Sequence, residues 1–404
     1  MIAPAMVEAA PLFLKPNEDR RLRAGHTWVF SNEVDIVKSP LTAFEPGATV
    51  SFLSSNNQFL GHGYVNPHSL ICARVVTRHR DQALDSSLLV HRLNVALGLR
   101  ERCFSEAFYR LFYGDADGLP GLIIDRYGDV LIVQITTAGV EKIKDHVVST
   151  LQKVMKPAAI VLRNDTAARE LENLPVYVET VFGSCPTTLA VSENGATYWV
   201  NAASGQKTGW FYDQRINRAR LRNYVRDRTV LDLFSYVGGF AVQAALGGAR
   251  SVLAVDSSAH ALELVEQNAM VNGVKDVVST RCEDAFDALR ALREEREHFD
   301  VIVLDPPAFI PRRKDAKAGL GAYQRLMQLA MQVLSRDGIL LTASCSYHLQ
   351  WDAFHRILTK TARHVDRQLQ IIETGHQGPD HPIHPAIPET EYLKAYICRV
   401  LPTF

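Results

Sequence analysis

The sequence has no excess of charge of either sign. Its 404 residues contain 44 lysines and arginines and 44 aspartates and glutamates, so the formal net charge is zero. This balance excludes a strongly basic wrapper of nucleic acid, but it does not exclude a local basic patch, because nucleic-acid binding depends on where charges lie. The sequence also lacks an apolar run of the roughly 18 residues that a membrane span needs. We therefore expect no membrane segment.

Cysteines are few, and none lie in Cys-x-x-Cys pairs. The six are scattered from Cys72 to Cys398, a pattern that excludes a disulfide framework and favours a reducing compartment. The N-terminus also lacks the basic segment of a secretory signal. We therefore expect a cytoplasmic protein. His376, His381 and His384 share a Pro-rich loop, but loop histidines without a further ligand are weak evidence for a metal, and we predict none.

A chain of this length predicts two or three domains. Residues 1–78 show short strands with Pro-Gly and Asn-Pro turns, and residues 79–187 show an α+β pattern. From residue 188 onward, apolar strands alternate with helical patterns, which predicts an α/β domain with a mostly parallel, doubly wound sheet covered on both faces. In such a sheet, ligands bind at the carboxyl ends of the strands, at the switch point of the strand order.

Polar residues follow the first three strands expected in the 188–404 domain. Asp232 precedes a glycine-bearing turn, Asp256 ends the second strand, and Asp284 follows the third. A carboxylate at the second position can accept both hydroxyls of a ribose, and one at the third can bind an adenine amino group. The set fits an adenosine cofactor without a pyrophosphate, S-adenosylmethionine (SAM), although any one aspartate could instead be a helix N-cap. From the residues alone we assign cofactor binding to Asp256 and Asp284, and we expect the glycine-bearing turn at Gly238 to let the cofactor approach the backbone.

The fourth expected strand ends in Asp305-Pro306-Pro307. Two prolines stiffen the backbone and present its carbonyls and the Asp305 carboxylate outward. In many SAM-dependent enzymes such a segment holds the target base, so we assign Asp305 to catalysis and the two prolines to substrate contact. The alternative is a tight exit from the strand into a loop.

Cys345 follows the fifth expected strand, so we expect it at the cofactor edge of the sheet. A thiolate that adds to C6 of cytosine makes C5 enamine-like, so that C5 can attack a methyl sulfonium. We therefore assign Cys345 as a catalytic nucleophile, with a buried small hydrophobic residue as the alternative.

Three short stretches of the sequence contain clusters of basic residues. The first contains Arg21 and Arg23, and the second contains Arg215 and Arg218 on an expected helix; we assign all four to RNA contact, with a solvated helix face as the alternative for the second pair. The third, residues 312–317, predicts either a lid over RNA or a solvated loop. Residues 205–209 lack the Gly-Lys pair of a phosphate loop, which excludes nucleoside triphosphate hydrolysis.

Long blocks of the sequence resemble the bacterial large-subunit ribosomal RNA methyltransferase I family, SAM-dependent 23S rRNA (cytosine-C5) methyltransferases. Residues 21–33 look like the opening of its PUA RNA-binding domain, and residues 117–127 are similar to its linking α+β domain. The segments 205–218, 232–240, 305–307 and 344–346 match its methyltransferase motifs. Within the first of these segments we also assign Lys207 and Thr208 to the cofactor.

The resemblance implies a nucleophile at Cys345 and a set of contacts to SAM. We assign these contacts to Phe234, Ser235, Tyr236, Gly238, Asp256, Ser257, Asp284 and Asp305. Many cytosine-C5 RNA methyltransferases carry a second cysteine after the Asp-Pro pair, where this chain has Pro307 and Ala308, so product release must proceed in another way. The family often has Asn where this chain has Met327.

We expect a PUA-like RNA-binding domain over 1–78, a linking domain over 79–187 and a Rossmann-like SAM methyltransferase domain over 188–404. The expected reaction is methylation of C5 of a cytosine in 23S ribosomal RNA through a covalent Cys345 adduct, by a protein that could act as a homodimer. Three alternatives remain open: an rRNA base N-methyltransferase on the same fold, a non-catalytic RNA-binding assembly factor, and a small-molecule methyltransferase.

Overall fold

The computed structural model describes residues 9–201, 205 and 208–403, so Lys207 lies outside the described residues. The chain forms two compact units. The first comprises the chain through Thr187 together with the segments Asn201–Trp210 and Pro379–Thr390. The second comprises Thr188–Val200, Phe211–Gly378 and Glu391–Phe404.

The first unit begins with a five-stranded sheet whose strand order is β1-β3-β4-β5-β2. Its elements are β1 (Ala10–Phe13), α1 (Arg20–Arg23), β2 (Trp28–Val29), β3 (Ala48–Leu53), β4 (Phe59–Val65) and β5 (Ala73–Thr77). Apolar side chains alternate along β3, where Val50 and Phe52 are fully buried, so this sheet encloses one small core on one face.

A second sheet in the first unit has the order β10-β9-β8-β7-β6. Its elements are α2 (Ser86–Cys103), β6 (Phe108–Tyr113), β7 (Leu122–Tyr127), β8 (Val130–Ile135), α3 (Ala138–Lys142), α4 (Lys144–Met155), β9 (Ala159–Asn164) and β10 (Tyr177–Gly183). Strands β8 and β9 are parallel and are buried along their lengths, and the helices α3 and α4 form the crossover that a parallel pair requires.

An ionic cluster is buried in the first unit, and a distant segment of the chain completes it. The fully buried Arg100 guanidinium donates to both oxygens of Asp117, at 2.7 and 2.6 Å, and to the Asp380 carbonyl at 2.7 Å. The Asp380 carboxylate in turn accepts from the Arg110 N–H at 3.0 Å. The Pro379–Thr390 segment therefore supplies acceptors to donors that lie about 270 residues earlier.

The second unit contains a two-stranded hairpin and a seven-stranded sheet. Its elements are β11 (Thr188–Glu193), β12 (Ala196–Asn201), α5 (Arg215–Leu221), β13 (Thr229–Leu233), α6 (Gly239–Leu246), β14 (Ser251–Asp256), α7 (Ala259–Val271), β15 (Val278–Cys282), α8 (Ala285–Glu294), β16 (Phe299–Leu304), α9 (Ala316–Val333), β17 (Leu334–Ser344), α10 (Trp351–His364), β18 (Arg367–His376) and β19 (Lys394–Pro402).

The seven strands have the order β15-β14-β13-β16-β17-β19-β18. The first five are parallel, and β19 pairs antiparallel with both β17 and β18. Helices cover both faces, over one core around Leu233, Ile302 and Leu340 and another around Val230, Val252 and Val303. The predicted doubly wound sheet is confirmed, and its order reverses between β13 and β16. Within residues 9–201, 205 and 208–403, no helix combines the length and the apolar character that crossing a bilayer requires.

Candidate cofactor and base-binding site

The loop after β13 has an unusual backbone. Phe234 and Tyr236 have φ values of 61° and 51°, in the left-handed region that side chains with a Cβ rarely adopt. Gly238, at φ 83°, caps α6, and a Cβ on it would lie 3.1 Å from Val265 Cγ1. Strain of this kind is typical of functional sites. The loop therefore turns sharply at the carboxyl edge of the sheet, where a cofactor can approach its backbone.

Asp232, at the end of β13, carries a carboxylate that is removed from solvent. Burial raises its pKa well above the ordinary value, and the nearby Asp305 and Asp256 carboxylates raise it further, although the Ala241 N–H opposes the shift. Among the described residues, neither Asp232 oxygen nor the buried Ser235 hydroxyl has a hydrogen-bond partner of ordinary geometry. Three carboxylates in one place call for a positive ligand. The α-ammonium and sulfonium of SAM meet this requirement, so the residues fit that cofactor.

Asp256 links two loops at the end of β14. One carboxylate oxygen accepts from the Tyr236 N–H at 2.9 Å, and the other accepts from the Ser258 N–H at 2.9 Å. Each oxygen keeps a free lone pair, so both can still accept from the two hydroxyls of a ribose. The neighbouring Ser257 is exposed, and the Tyr236 ring packs edge-on against Phe211 at a centroid distance of 5.5 Å.

Asp284 is exposed and caps α8, because its Oδ1 accepts from the Phe286 N–H at 2.9 Å and the Asp287 N–H at 3.3 Å. The N-cap that was the alternative for this position is therefore present. The second carboxylate oxygen of Asp284 remains available for an adenine amino group, and that contact stays a prediction.

Asp305 follows β16 directly and is held by a residue that was not predicted. The Gln214 side-chain amide donates to Asp305 Oδ1 at 2.7 Å, and Gln214 Oε1 accepts from the Asn217 amide at 2.7 Å. Gln214 and Asn217 are both buried. Both lie within the 205–218 block, which was their only signal in the sequence. A contact across 91 residues leaves no local pattern. After Asp305, Pro306 is buried whereas Pro307 is exposed.

Cys345 is half-buried and lies just beyond the last residue of β17. The serines on either side of it are buried and share the Tyr323 hydroxyl, at 2.8 Å from Ser344 Oγ and 3.0 Å from Ser346 Oγ. Ser346 Oγ also accepts from the Ile310 N–H at 3.2 Å. These bonds fix the turn that carries the thiol against α9 and against the loop that follows the two prolines.

The Cys345 and Asp305 positions share one edge of the sheet. β16 and β17 are parallel neighbours, and Leu304 is paired with Thr342. Asp305 therefore follows its strand next to Ala343, two residues before Cys345. The order reversal places β13, with Asp232, on the other side of β16. Asp232, Asp305 and Cys345 therefore lie at or just beyond the carboxyl ends of three neighbouring strands, and their roles stay predictions.

Arg215 and Arg218 lie inside the second unit. Arg218 donates to both oxygens of the buried Glu193 carboxylate, at 2.6 and 2.9 Å, and Arg215 reaches Glu193 Oε2 at 3.3 Å. Arg218 is 3% exposed, so the solvated helix face given as the alternative is wrong for this residue. Phosphate contact would require the Glu193 ion pair to break. The buried ion pairs favour a structural role for both arginines, and we leave them out of the proposed RNA surface.

Arg21 and Arg23 belong to the first unit and are exposed enough to meet RNA. Arg21 also forms an ion pair with Glu33 at 2.8 Å, and Arg23 forms one with Asp19 at 2.6 Å. Their net positive field is therefore small. Thr208, assigned to the cofactor, is fully buried in this unit, and its hydroxyl donates to Asp125, a bond that a structural role explains.

The three histidines considered for a metal have local partners. His381 Nδ1 lies 3.0 Å from Asp380 Oδ1, His384 Nδ1 accepts from the Ala386 N–H, and His376 Nδ1 lies 2.7 Å from the Gln377 carbonyl. The described part of the chain contains no group of three or more side chains suited to a metal ion.

Comparison with known proteins defines the class first. Residues 147–399 match the S-adenosylmethionine-dependent methyltransferase family and residues 12–78 match a PUA-like domain, so the chain is a SAM-dependent methyltransferase. A solved methyltransferase in complex with SAH shares the fold with a TM-score of 0.84 at 22% identity, over 96% of this chain and 100% of that one.

Full-length relatives define the family more closely. The chain is 37% identical over 399 residues to ribosomal RNA large subunit methyltransferase I of Erwinia tasmaniensis, covering 96% of this chain and 99% of the relative. It is 38% identical over 392 residues to the protein of the same name from Shewanella denitrificans, covering 96% and 98%. The chain belongs to the ribosomal RNA large subunit methyltransferase I family, and the resemblance noted from its motifs is confirmed.

Asp256→Asn is expected to weaken SAM binding by roughly 30–100-fold, because a neutral amide loses the charge-assisted bonds to a ribose and turns one N–H toward a backbone donor. Isothermal titration calorimetry measures the affinity. Asp276→Asn, an exposed aspartate beyond α7, is the matched control and should bind SAM as the unmodified protein does. Equal affinity in both variants would remove Asp256 from the cofactor site.

Proposed function

We propose that this protein transfers a methyl group from SAM to C5 of a cytosine in large-subunit ribosomal RNA, with Cys345 as a covalent nucleophile. The observation that carries the proposal is the half-buried Cys345 at the carboxyl edge of β17, one strand away from Asp305 and two from Asp232. A base nitrogen could be methylated without any thiol, so a cysteine fixed at this place favours carbon methylation. The named relatives support ribosomal RNA as the substrate.

The chain's own residues account for most of the reaction. The Cys345 thiolate adds to C6 of the cytosine and forms a C–S bond, which moves electron density to C5. When bound, SAM supplies an electrophilic methyl group, which C5 takes as the bond from sulfonium sulfur to methyl breaks. Loss of the C5 proton to a base then lets the Cys345 sulfur leave C6 with the electrons of the C–S bond, which restores the aromatic ring.

Asp305 is proposed to steady the base through N3 or the exocyclic amine. The Gln214 amide fixes one oxygen of its carboxylate, so the other oxygen is presented in a defined direction. The stretch immediately after Asp305 contains no second thiol. Pro307 and Ala308 stand there instead, and both are exposed. We therefore propose that Cys345 is eliminated without help from another cysteine.

The target cytosine has to leave its stack before the thiolate can reach C6. The PUA-like domain over residues 12–78 is proposed to hold the RNA while the cytosine leaves its stack. The proposed place of action is the cytoplasm. Since Arg21 and Arg23 are already paired with acids, few phosphates are neutralised and the affinity should depend only modestly on salt.

The test is a comparison of modification maps of ribosomal RNA from cells with and without this protein, by mass spectrometry of nuclease digests. We expect one 5-methylcytosine of the large subunit to disappear without the protein. Loss of an N-methylated base instead would support the alternative enzyme on the same fold. Maps without any difference would favour the non-catalytic assembly factor or the small-molecule methyltransferase. Transfer of methyl groups from SAM to small molecules that is unimpaired by deletion of residues 1–78 would favour the second of these.

A further inference from the structure

Lys394 buries an ammonium beside the turn that carries Cys345. It opens β19, is 3% exposed, and is paired in register with Ser344, the residue before the cysteine. The residues on either side of it, Leu393 and Ala395, form with Ala343 the small apolar cluster against which Cys345 packs. The lysine therefore belongs to the immediate wall of the proposed nucleophile, although no sequence motif singled it out.

The hydrogen bonds of Lys394 span the turn. Nζ donates to the Tyr392 carbonyl at 3.0 Å and to the Ser346 carbonyl, one residue after the cysteine, at 3.4 Å. Both acceptors are neutral, and a buried cation held only by carbonyls is unfavourable unless an anion compensates for it. A methionine would fill the same space without this penalty, so the charge itself requires an explanation.

Two groups that can carry a negative charge, Glu391 and Cys345, interact with the Lys394 ammonium. Burial lowers the pKa of Lys394, whereas Glu391 and Cys345 raise it. The Glu391 carboxylate accepts from the Trp351 indole N–H at 3.2 Å. Tyr323 on α9 also interacts electrostatically with Cys345, but burial raises the pKa of the Tyr323 hydroxyl and keeps it neutral. His376 of β18 is paired in register with Lys394, and it is exposed.

We propose that Lys394 is a positioning residue whose buried positive charge stabilises the thiolate of Cys345 and whose N–H groups hold the turn that presents it. The inference rests on the proposed function only in taking Cys345 as the nucleophile. Because the thiolate and not the thiol reacts, an adjacent cation raises the reactive fraction at neutral pH. The ammonium exerts this effect below the pKa of Lys394, and the effect is lost as the pH rises through that value.

The test measures the reactivity of Cys345 itself. The full-length protein, without added cofactor, is treated with iodoacetamide between about pH 6 and about pH 10, and alkylation at Cys345 is followed by peptide mass spectrometry. In Lys394→Met we expect roughly tenfold slower alkylation near pH 7, and rates that converge with the unmodified protein near pH 10, where the thiol ionises without assistance. Lys394→Arg should retain most of the reactivity, and the exposed Lys275→Met is the matched control.

Two outcomes would overturn the inference. One is an unchanged pH profile in Lys394→Met, and the other is a rate that falls by the same factor at every pH, which would mean that only access to the cysteine had changed. SAM affinity and thermal melting of the variants establish that they are folded. A Cys345→Ala protein that still methylates RNA would end the covalent mechanism without altering the alkylation result, so the two failures are distinguishable.

Discussion

Replacing Cys345 with alanine is expected to lower the rate of RNA methylation by about three orders of magnitude, which corresponds to roughly 4 kcal/mol at the barrier. Without the C–S bond, C5 of cytosine lacks the electron density to attack a methyl group. The side chain is half-buried just beyond the end of its strand, and hydrogen bonds from Ser344, Ser346 and Tyr323 hold this turn, so the fold and the affinity for SAM should be retained. Transfer of labelled methyl groups to RNA gives the rate, and calorimetry gives the affinity.

Cys103→Ala provides the matched control, because Cys103 is exposed at the end of α2 in the other unit. It should methylate RNA at the unmodified rate. A second measurement uses RNA that contains 5-fluorocytosine, from which no C5 proton can leave. This substrate should remain covalently attached to the unmodified protein but not to Cys345→Ala. Full activity of Cys345→Ala, or an adduct at another residue, would contradict the proposed nucleophile.

Replacing Glu193 with alanine is expected to destabilise the second unit by about 3–5 kcal/mol, because two buried guanidiniums lose their counter-charge. Arg218 is almost fully buried, and the Glu193 carboxylate is what holds its pKa up against the effect of burial. For a unit of this size the melting temperature should fall by roughly 10 °C. Differential scanning calorimetry and urea unfolding measure the change.

The control for this second prediction is an ion pair of similar length on the surface. Arg399 and Asp337 are 2.6 Å apart and largely exposed, and solvent screens such pairs, so Asp337→Asn should leave the unfolding curve essentially unchanged. Similar losses of stability in Asp337→Asn and Glu193→Ala would contradict the role given to burial. If Glu193→Ala melted like the unmodified protein, the phosphate-binding interpretation of Arg218 would become the better one.

The sequence predicted the parallel part of the sheet well, because its strands are apolar runs that alternate with amphipathic helices. The sequence pattern places strands at 230–233, 251–255 and 301–304, and β13, β14 and β16 begin and end within two residues of these positions. The antiparallel strand β18 was missed. β18 alternates between half-buried and exposed side chains along much of its length, so it lacks the continuous apolar run of a buried strand.

The positions of Asp232, near the end of β13, and of Asp305, directly after β16, were predictable because the ends of parallel strands meet at one edge. Residues that reach the site through a distant pairing were not. Gln214 contacts Asp305 across 91 residues, and Lys394 lies beside the Cys345 turn only because β19 pairs with β17. For the same reason Arg218 was expected at the surface, since its partner Glu193 comes from a hairpin strand 25 residues earlier.

The buried cluster around Arg100 has a consequence for the order in which the protein is made. A ribosome releases the chain from its N-terminus, and domains generally fold as they emerge. The first unit, however, receives Asp380 from the Pro379–Thr390 segment, so the Arg110 N–H and part of the Arg100 guanidinium have no native acceptor until nearly the whole chain has been synthesised. We therefore expect nascent chains that end before residue 379 to remain sensitive to proteases in the first unit, and protection to appear only when this late segment leaves the ribosome.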